Sequence, residues 1–161
     1  MTSAAEPTLQ AEVHVRATPE AVWDLVSDIR RMGEWSPQCR GGVWLGRRRG
    51  PGARFVGINR AGWRWWPTTN RVVASERGSV FAFRTEQNRA IWSFHLEADG
   101  GGTRLVQRRE LPEGRSELSR RLIKAAMGGN ERFDAAMERG MRRTLERVRA
   151  VAEAGRSGRA E

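Results

Sequence analysis

Between Thr18 and Pro37 the chain reads Thr-Pro-Glu-Ala-Val-Trp-Asp-Leu-Val-Ser-Asp-Ile-Arg-Arg-Met-Gly-Glu-Trp-Ser-Pro, and this stretch narrows the possible folds more than any other. The Thr18 hydroxyl is placed to cap a helix. Pro19 follows where a missing N–H costs nothing, and Glu20 suits the positive end of the helix dipole. Ala21, Val22, Leu25, Val26 and Ile29 then recur at helical spacing. Ser27 or Asp28 offers a cap for a second short helix. Trp35 with Ser36-Pro37 ends the pair, because a residue before proline avoids the helical region.

A strand precedes this pair. Leu9, Ala11, Val13 and Val15 alternate with Gln10, Glu12, His14 and Arg16, the pattern of a half-buried strand. Further strands are expected over residues 43–45, 53–60, 63–74, 79–85, 91–98 and 103–111. The turns between them fall at 46–52, Ala61-Gly62, Arg77-Gly78 and 99–102. Hairpin-length turns between consecutive strands imply an antiparallel sheet. Residues 112–115 link this sheet to a helix over 116–127, which Gly128-Gly129 loosens or kinks. From Asn130 a long amphipathic helix places Phe133, Met137, Met141, Thr144 and Val148 on one face. The class is α+β: seven strands in a curved sheet around a long C-terminal helix, with two short helices after the first strand. Residues 1–8 are expected to be a flexible N terminus, 9–152 the domain and 153–161 a flexible tail.

A chain of 161 residues suits one domain and buries about two thirds of its unfolded surface. No run approaches the roughly 20 apolar residues of a membrane span. The start of the sequence lacks the basic and apolar segments of a secretion signal. A lone Cys39 makes no internal disulfide and no thiolate zinc cluster, so the expected compartment is the cytoplasm. The net charge is +10, unevenly placed. Residues 41–75 hold seven Arg (47, 48, 49, 54, 60, 64 and 71) and no Asp or Glu, whereas the first 40 residues are net acidic. A basic region of this kind is either a solvated surface or a contact for an anionic partner.

The helix-pair motif from Thr18 to Asp28, the Trp35-Ser36-Pro37 stop, Gly52-Ala53-Arg54-Phe55 with Asn59, Phe81-Ala82-Phe83 and Gly102-Thr103-Arg104-Leu105 together resemble the START-like (SRPBCC) superfamily. This is the polyketide cyclase/dehydratase and lipid-transport group, and the resemblance covers about residues 9–152. It implies the helix-grip fold: a seven-stranded antiparallel sheet wrapped around the C-terminal helix. It places a ligand site between sheet and helix and implies no cofactor. It does not choose an activity, because the superfamily mixes enzymes, carriers, receptors and stress proteins.

Period-two alternation assigns the inner face. Phe55, Gly57 and Asn59 share one side of their strand, as do Trp66, Thr68, Asn70 and Val72, then Phe81 and Phe83, then Trp92, Phe94 and Leu96. With Trp35 at the helix-pair stop and Phe133 and Met137 on the long helix, they form an aromatic lining with neutral polar groups. Such a lining suits a flat, largely apolar ligand bearing hydroxyl or carbonyl oxygens; the same rings also suit a packed core. Thr68, Asn70 and Arg71 are the catalytic candidates, Arg71 only if a bulge or slip of one residue turns it inward. Arg64 and Arg84 depend on the same slip, and an inward Arg would hold an enolate or polarise a carbonyl. His14 and His95 fall on the outward phase, so no metal site is expected. Cys39 reads as an ordinary thiol, and Glu110 beside Arg108 and Arg109 as a solvent-paired carboxylate. Phosphate-binding glycine loops and hydrolase elbows are absent.

Three functions fit these features. The first is binding of a small hydrophobic, polyketide- or lipid-like molecule. The second, implied by the resemblance, is an aromatase/cyclase that closes and dehydrates a poly-ketone chain delivered by an acidic acyl-carrier protein. The third, nucleic-acid binding, rests on charge and on Trp63-Arg64-Trp65-Trp66, and is the weakest.

Overall fold

The computed structural model describes residues 5–158. The expected flexible ends therefore fall partly outside the described residues. β1 (Leu9–Val15) leads into α1 (Pro19–Ser27), a single 3-10 turn (Ile29–Arg31) and α2 (Met32–Trp35). Six strands follow: β2 (Cys39–Leu45), β3 (Arg54–Ala61), β4 (Arg64–Glu76), β5 (Val80–Thr85), β6 (Ile91–Asp99) and β7 (Gly102–Glu110). Two helices close the chain, α3 (Glu117–Met127) and α4 (Asn130–Ser157). The strands form one antiparallel sheet in the order β1-β7-β6-β5-β4-β3-β2, and α4 is held against its β1–β7 edge. This is the helix-grip arrangement.

Local chemistry explains the elements. Thr18 Oγ1 accepts from the Ala21 N–H at 3.2 Å, capping α1 as its sequence implies. Of the two candidates for the next cap, Asp28 is used: its Oδ1 accepts from the Arg30 N–H at 3.2 Å. The β3–β4 turn is Gly62-Trp63 rather than Ala61-Gly62, since Ala61 pairs with Arg64. Gly62 takes φ 59, a left-handed conformation that glycine adopts without a steric penalty. Gly128 takes φ 77 and donates its N–H to Lys124 O at 3.2 Å, so it ends α3 rather than loosening one continuous helix.

Two strands are longer than their periodicity suggests, and the cause is the same in both. β2 begins at Cys39 instead of residue 43, with an irregularity between Cys39 and Gly41. β4 runs on to Glu76 across a bulge between Val72 and Ala74. A bulge inserts one residue and exchanges the faces beyond it, which erases a period-two pattern. Val73 is the inserted residue and is exposed.

The sheet has two unlike ends. At one, α1 and the later turns of α4 cover the strands, and Val15, Val22, Val26, Leu105, Leu145 and Val148 pack as a sealed core. Arg16 ties this end to α4: its backbone N–H and guanidinium donate to Glu153 at 3.0 and 3.2 Å. Arg156 Nη1 returns a bond to Arg16 O at 3.1 Å. At the other end, β3 and β4 continue beyond the β5–β6 turn as an overhanging hairpin. The first turn of α4 and the exposed helix α3 belong to this end, which follows from their place after the last residue of β7.

Candidate functional site

The register of the sheet brings one face of every strand together beneath α2 and α4. Across the open end, Arg109 lies beside Trp92, Trp92 beside Phe83, and Phe83 beside Val72. One step further out, Thr85 lies beside Asn70, and Asn70 beside Phe55. Gly57 then faces Thr68, and Asn59 faces Trp66. Most residues expected to line the site therefore share a face.

They fall into two groups. Phe55, Phe81 and Phe94 are fully buried and belong to the core. Their rings pack edge to face in a chain: Trp44 on Phe55 at 5.5 Å, Phe55 on Phe83 at 5.2 Å, and Trp23 on Phe81 at 6.4 Å. Phe81 and Phe83 meet tilted at 6.1 Å. Trp35 meets Phe94 edge-on at 5.6 Å and is also buried. Phe83, Trp92, Phe133, Met137 and Trp44 are only half-buried. Trp66 is 37% exposed on the overhang, at the rim rather than inside.

Arg71 is a correction. Its phase puts it on the convex face, where it is exposed and pairs with Glu86 at 3.6 Å. The β4 bulge that would turn it inward lies beyond it, after Val72. Arg84 is likewise outside, bonded to Glu113 at 2.8 Å. Arg64 stacks over Trp63 at 5.8 Å on the hairpin tip. Both histidines point away from the site. His14 Nε2 sits 2.9 Å from Asp99 O. His95 Nε2 sits 3.0 Å from Ser93 Oγ, and partial burial with nearby Arg108 lowers its pKa, opposed by Glu110.

The neutral polar residues form a connected chain. Asn59 Nδ2 donates to Thr68 Oγ1 at 3.1 Å. Asn70 Nδ2 donates to Thr68 O at 3.1 Å and to Thr68 Oγ1 at 3.3 Å. Thr85 Oγ1 donates to Asn70 Oδ1 at 2.8 Å. Thr68 Oγ1 thus accepts twice, and its hydroxyl proton and the Asn59 carbonyl oxygen have no partner among the described residues. Cys39 borders this chain near Gly57. Burial raises its thiol pKa, so it is protonated and not a nucleophile.

Four residues of the site are missing from the lining expected from sequence. Trp44 lies in a strand read as only residues 43–45, too short for alternation to set its face. Thr85 sits at a strand end. Gln107 and Arg109 follow Leu105 on the inner phase of β7, so simple alternation finds them; the charged run Arg108-Arg109-Glu110 disguises it. Arg109 lies between aromatic faces, with its guanidinium carbon 5.7 Å from the Trp92 ring centroid and 5.8 Å from that of Phe133. Three buried polar atoms on this face have no hydrogen-bond partner among the described residues: Trp35 Nε1, Gln107 Oε1 and Arg109 Nε. Buried polar atoms are ordinarily satisfied by protein, water or a ligand.

Two surface grooves lie elsewhere, of about 400 Å³ each, and follow the outer seam of β1 and α4. They are lined by Gln10, Ala11, Glu12, Arg142 and Glu146, and by His14, Arg16, Arg149 and Glu153. Charged walls of this kind suit water rather than an apolar ligand. Of the basic segment, Arg60 and Arg64 lie on the overhang, whereas Arg47, Arg48 and Arg49 lie in the β2–β3 loop at the other end of β3, and Arg54 is paired with Arg71. Arg49 stacks on Trp44 at 4.9 Å and Arg60 on Trp65 at 5.0 Å. Among the described residues no group of three His, Cys, Asp or Glu stands together, and no helix is long and apolar enough to cross a membrane.

The chain belongs to the polyketide cyclase/dehydrase and lipid transport family, whose model matches residues 6–153. Solved structures agree on the fold. A polyketide-cyclase-like protein of Corynebacterium glutamicum is 27% identical, with a TM-score of 0.63 over 92% of each chain. The Zhui aromatase/cyclase of a Streptomyces is 16% identical, with a TM-score of 0.73 over 91% of this chain and 93% of that one. The di-domain aromatase/cyclase StfQ of steffimycin biosynthesis is 14% identical with a TM-score of 0.74; 94% of this chain covers 51% of it. No curated protein matches the chain in sequence.

Proposed function

We propose that the protein binds a small, largely apolar molecule, polyketide- or lipid-like, against the open end of the concave face. One observation carries this reading. Half-buried rings of Trp44, Phe83 and Trp92 share the concave face with a neutral polar chain, Asn59–Thr68–Asn70–Thr85, and Phe133 of α4 lies over Arg109 at the same end, which the long helix leaves least covered. Aromatic faces take up a flat apolar body, and a few fixed polar groups orient its oxygens. The protein would work in the cytoplasm and need no cofactor.

A second reading, an aromatase/cyclase acting on a carrier-bound poly-ketone, is supported by the names of the Streptomyces and StfQ structures. The free hydroxyl proton of Thr68 also supports it, since it can donate to a ketone oxygen. No histidine or free carboxylate among the described residues faces the polar chain as a general base, so catalysis here would rest on folding a reactive chain. The basic segment over residues 41–75 would then receive the acidic carrier protein. Nucleic acid is disfavoured: Trp65 and Trp66 occupy opposite faces of β4, and Trp63 sits in the turn, so the three indoles make no single stacking platform.

Native mass spectrometry of the purified protein, followed by solvent extraction, tests the binding reading. A co-purifying apolar molecule, or a 1:1 adduct with 2-naphthol, is the expected result. An empty protein that also refuses 2-naphthol and a fluorescent fatty acid contradicts it. Turnover of a poly-ketone faster than in buffer, slowed by Thr68→Ala, would favour the cyclase.

A further inference from the structure

We propose that the molecule bound here carries an acidic oxygen, a carboxylate, enolate or phenolate, and that Arg109 is its counter-ion. This rests on the binding reading above.

Arg109 is 6% exposed, yet no side-chain hydrogen bond to it is found among the described residues and its Nε is orphaned. An arginine stays protonated in a protein, so this is a buried positive charge. Burial, and next the charge of Arg115, work against that charge. The nearby carboxylates are already engaged. Glu6 accepts from Arg115 at 2.9 Å and pairs with Arg120 at 3.5 Å, and Asp134 accepts from the other arm of Arg115. Their fields reach Arg109, but none of their oxygens is hydrogen-bonded to it among the described residues: both Glu6 oxygens face Arg115 and Arg120, and Asp134 Oδ1 faces Arg115. The flanking Trp92 and Phe133 rings offset part of the desolvation, since a cation over a ring face gains a modest electrostatic attraction. A buried charge without a hydrogen-bonded anion costs more than that.

The surroundings say what would complete the site. Trp92 and Phe83 extend from Arg109 across β6 and β5 as an apolar wall. Gln107, one step back on the same face of β7, leaves Oε1 unpartnered, and Trp35 leaves its Nε1 donor unpartnered. Both side chains neighbour Phe94, by sheet register and by ring contact respectively. A cation, a donor and an acceptor are thus set beside an aromatic wall. An apolar ring system with an acidic oxygen at its end, and a hydroxyl nearby, satisfies all three. A neutral hydrocarbon satisfies none.

The test compares 2-naphthoic acid with its methyl ester, two probes of the same ring, by calorimetry at neutral pH. The acid is expected to bind about tenfold more tightly than the ester. The gap should close in Arg109→Met and persist in Arg109→Lys. In the wild-type protein the Arg109 Nε–H resonance should move with the acid and stay with the ester, a readout that needs no variant to fold. Equal affinity for the two probes, or an acid preference with an unmoved Arg109 signal, overturns the proposal while leaving apolar binding intact. Failure of both probes to bind removes the binding reading itself.

Discussion

At the closed end of the sheet, Val15, Val22, Val26, Leu105 and Val148 are cut off from solvent, and the Arg16–Glu153 ion pair and a hydrogen bond from Arg156 to Arg16 O fasten α4 in place. At the open end the same strands carry rings that stay half-exposed, polar side chains bonded to one another, and a buried arginine with no hydrogen-bonded anion among the described residues. The strands are continuous between the ends, so backbone geometry is not the difference. What differs is what each end is packed against. The closed end meets α1 and the apolar stripe of α4 at Met141, Leu145 and Val148; the open end meets the first turns of α4, which offer Phe133 and Met137 and then little more. One end spends its apolar surface on stability, and the other holds part of it in reserve for a ligand.

The sharpest way to break this contrast is to truncate one side chain at each end. Leu145→Ala should cost about 2–5 kcal/mol in urea unfolding, because the lost contacts leave a cavity that a packed core does not close. Phe83→Ala, half-buried already, should cost clearly less while abolishing most binding of 2-naphthol. Equal losses of stability would mean that the open end is an ordinary core. Arg115→Met comes next. It strips Glu6 and Asp134 of a buried partner and should cost roughly 2–4 kcal/mol, below the cost at a wholly buried pair because both carboxylates keep some solvent.

Gly57→Leu sharpens the contrast from the other side. A Cβ there would stand 3.1 Å from Thr68 Oγ1 and 3.5 Å from Asn70 Nδ2, so a larger side chain grows into the polar chain. Binding should fall about tenfold or more, and the overpacking of this buried position should cost about 1–3 kcal/mol, measured by calorimetry and urea unfolding. The smallest effect concerns the closed end and pH. Arg77 bonds Asp24 at 2.7 and 2.9 Å and lowers its pKa, against a weaker push from burial. A lowered carboxylate pKa stabilises the fold above the ordinary carboxylate range, and this is lost as pH falls through the lowered value. Arg77→Gln should therefore flatten the acid limb of stability slightly, within the roughly 0.2–1 kcal/mol of an exposed pair, and leave ligand binding unchanged.

How much of this the sequence discloses follows the same division. The caps at Thr18 and Asp28, the alternation of β1 and the stripe of α4 are local patterns, and the structure repeats them. Asn59, Thr68 and Asn70 are likewise placed on the inner face by period two alone. Arg109 was missed because charge outweighed phase: its neighbours Arg108 and Glu110 suggest a solvated strand end, yet Leu105 and Gln107 had already fixed the face. The start of β2 is lost at a break in alternation, which leaves Trp44 in a strand read as too short to set its face. The division of labour between Phe55, wholly packed, and Phe83, half-open, depends on where α4 ends its cover, which no single strand records.

The most direct test of the account follows the indole N–H signals of the seven tryptophans by NMR as 2-naphthoate is added. The account predicts that Trp92 and Trp44, at the open end, move together and saturably, while Trp23, hydrogen-bonded to Val80 O at 2.9 Å on the closed side, stays still. Movement of Trp63 and Trp65 alone, or none at all, would contradict a ligand site on the concave face.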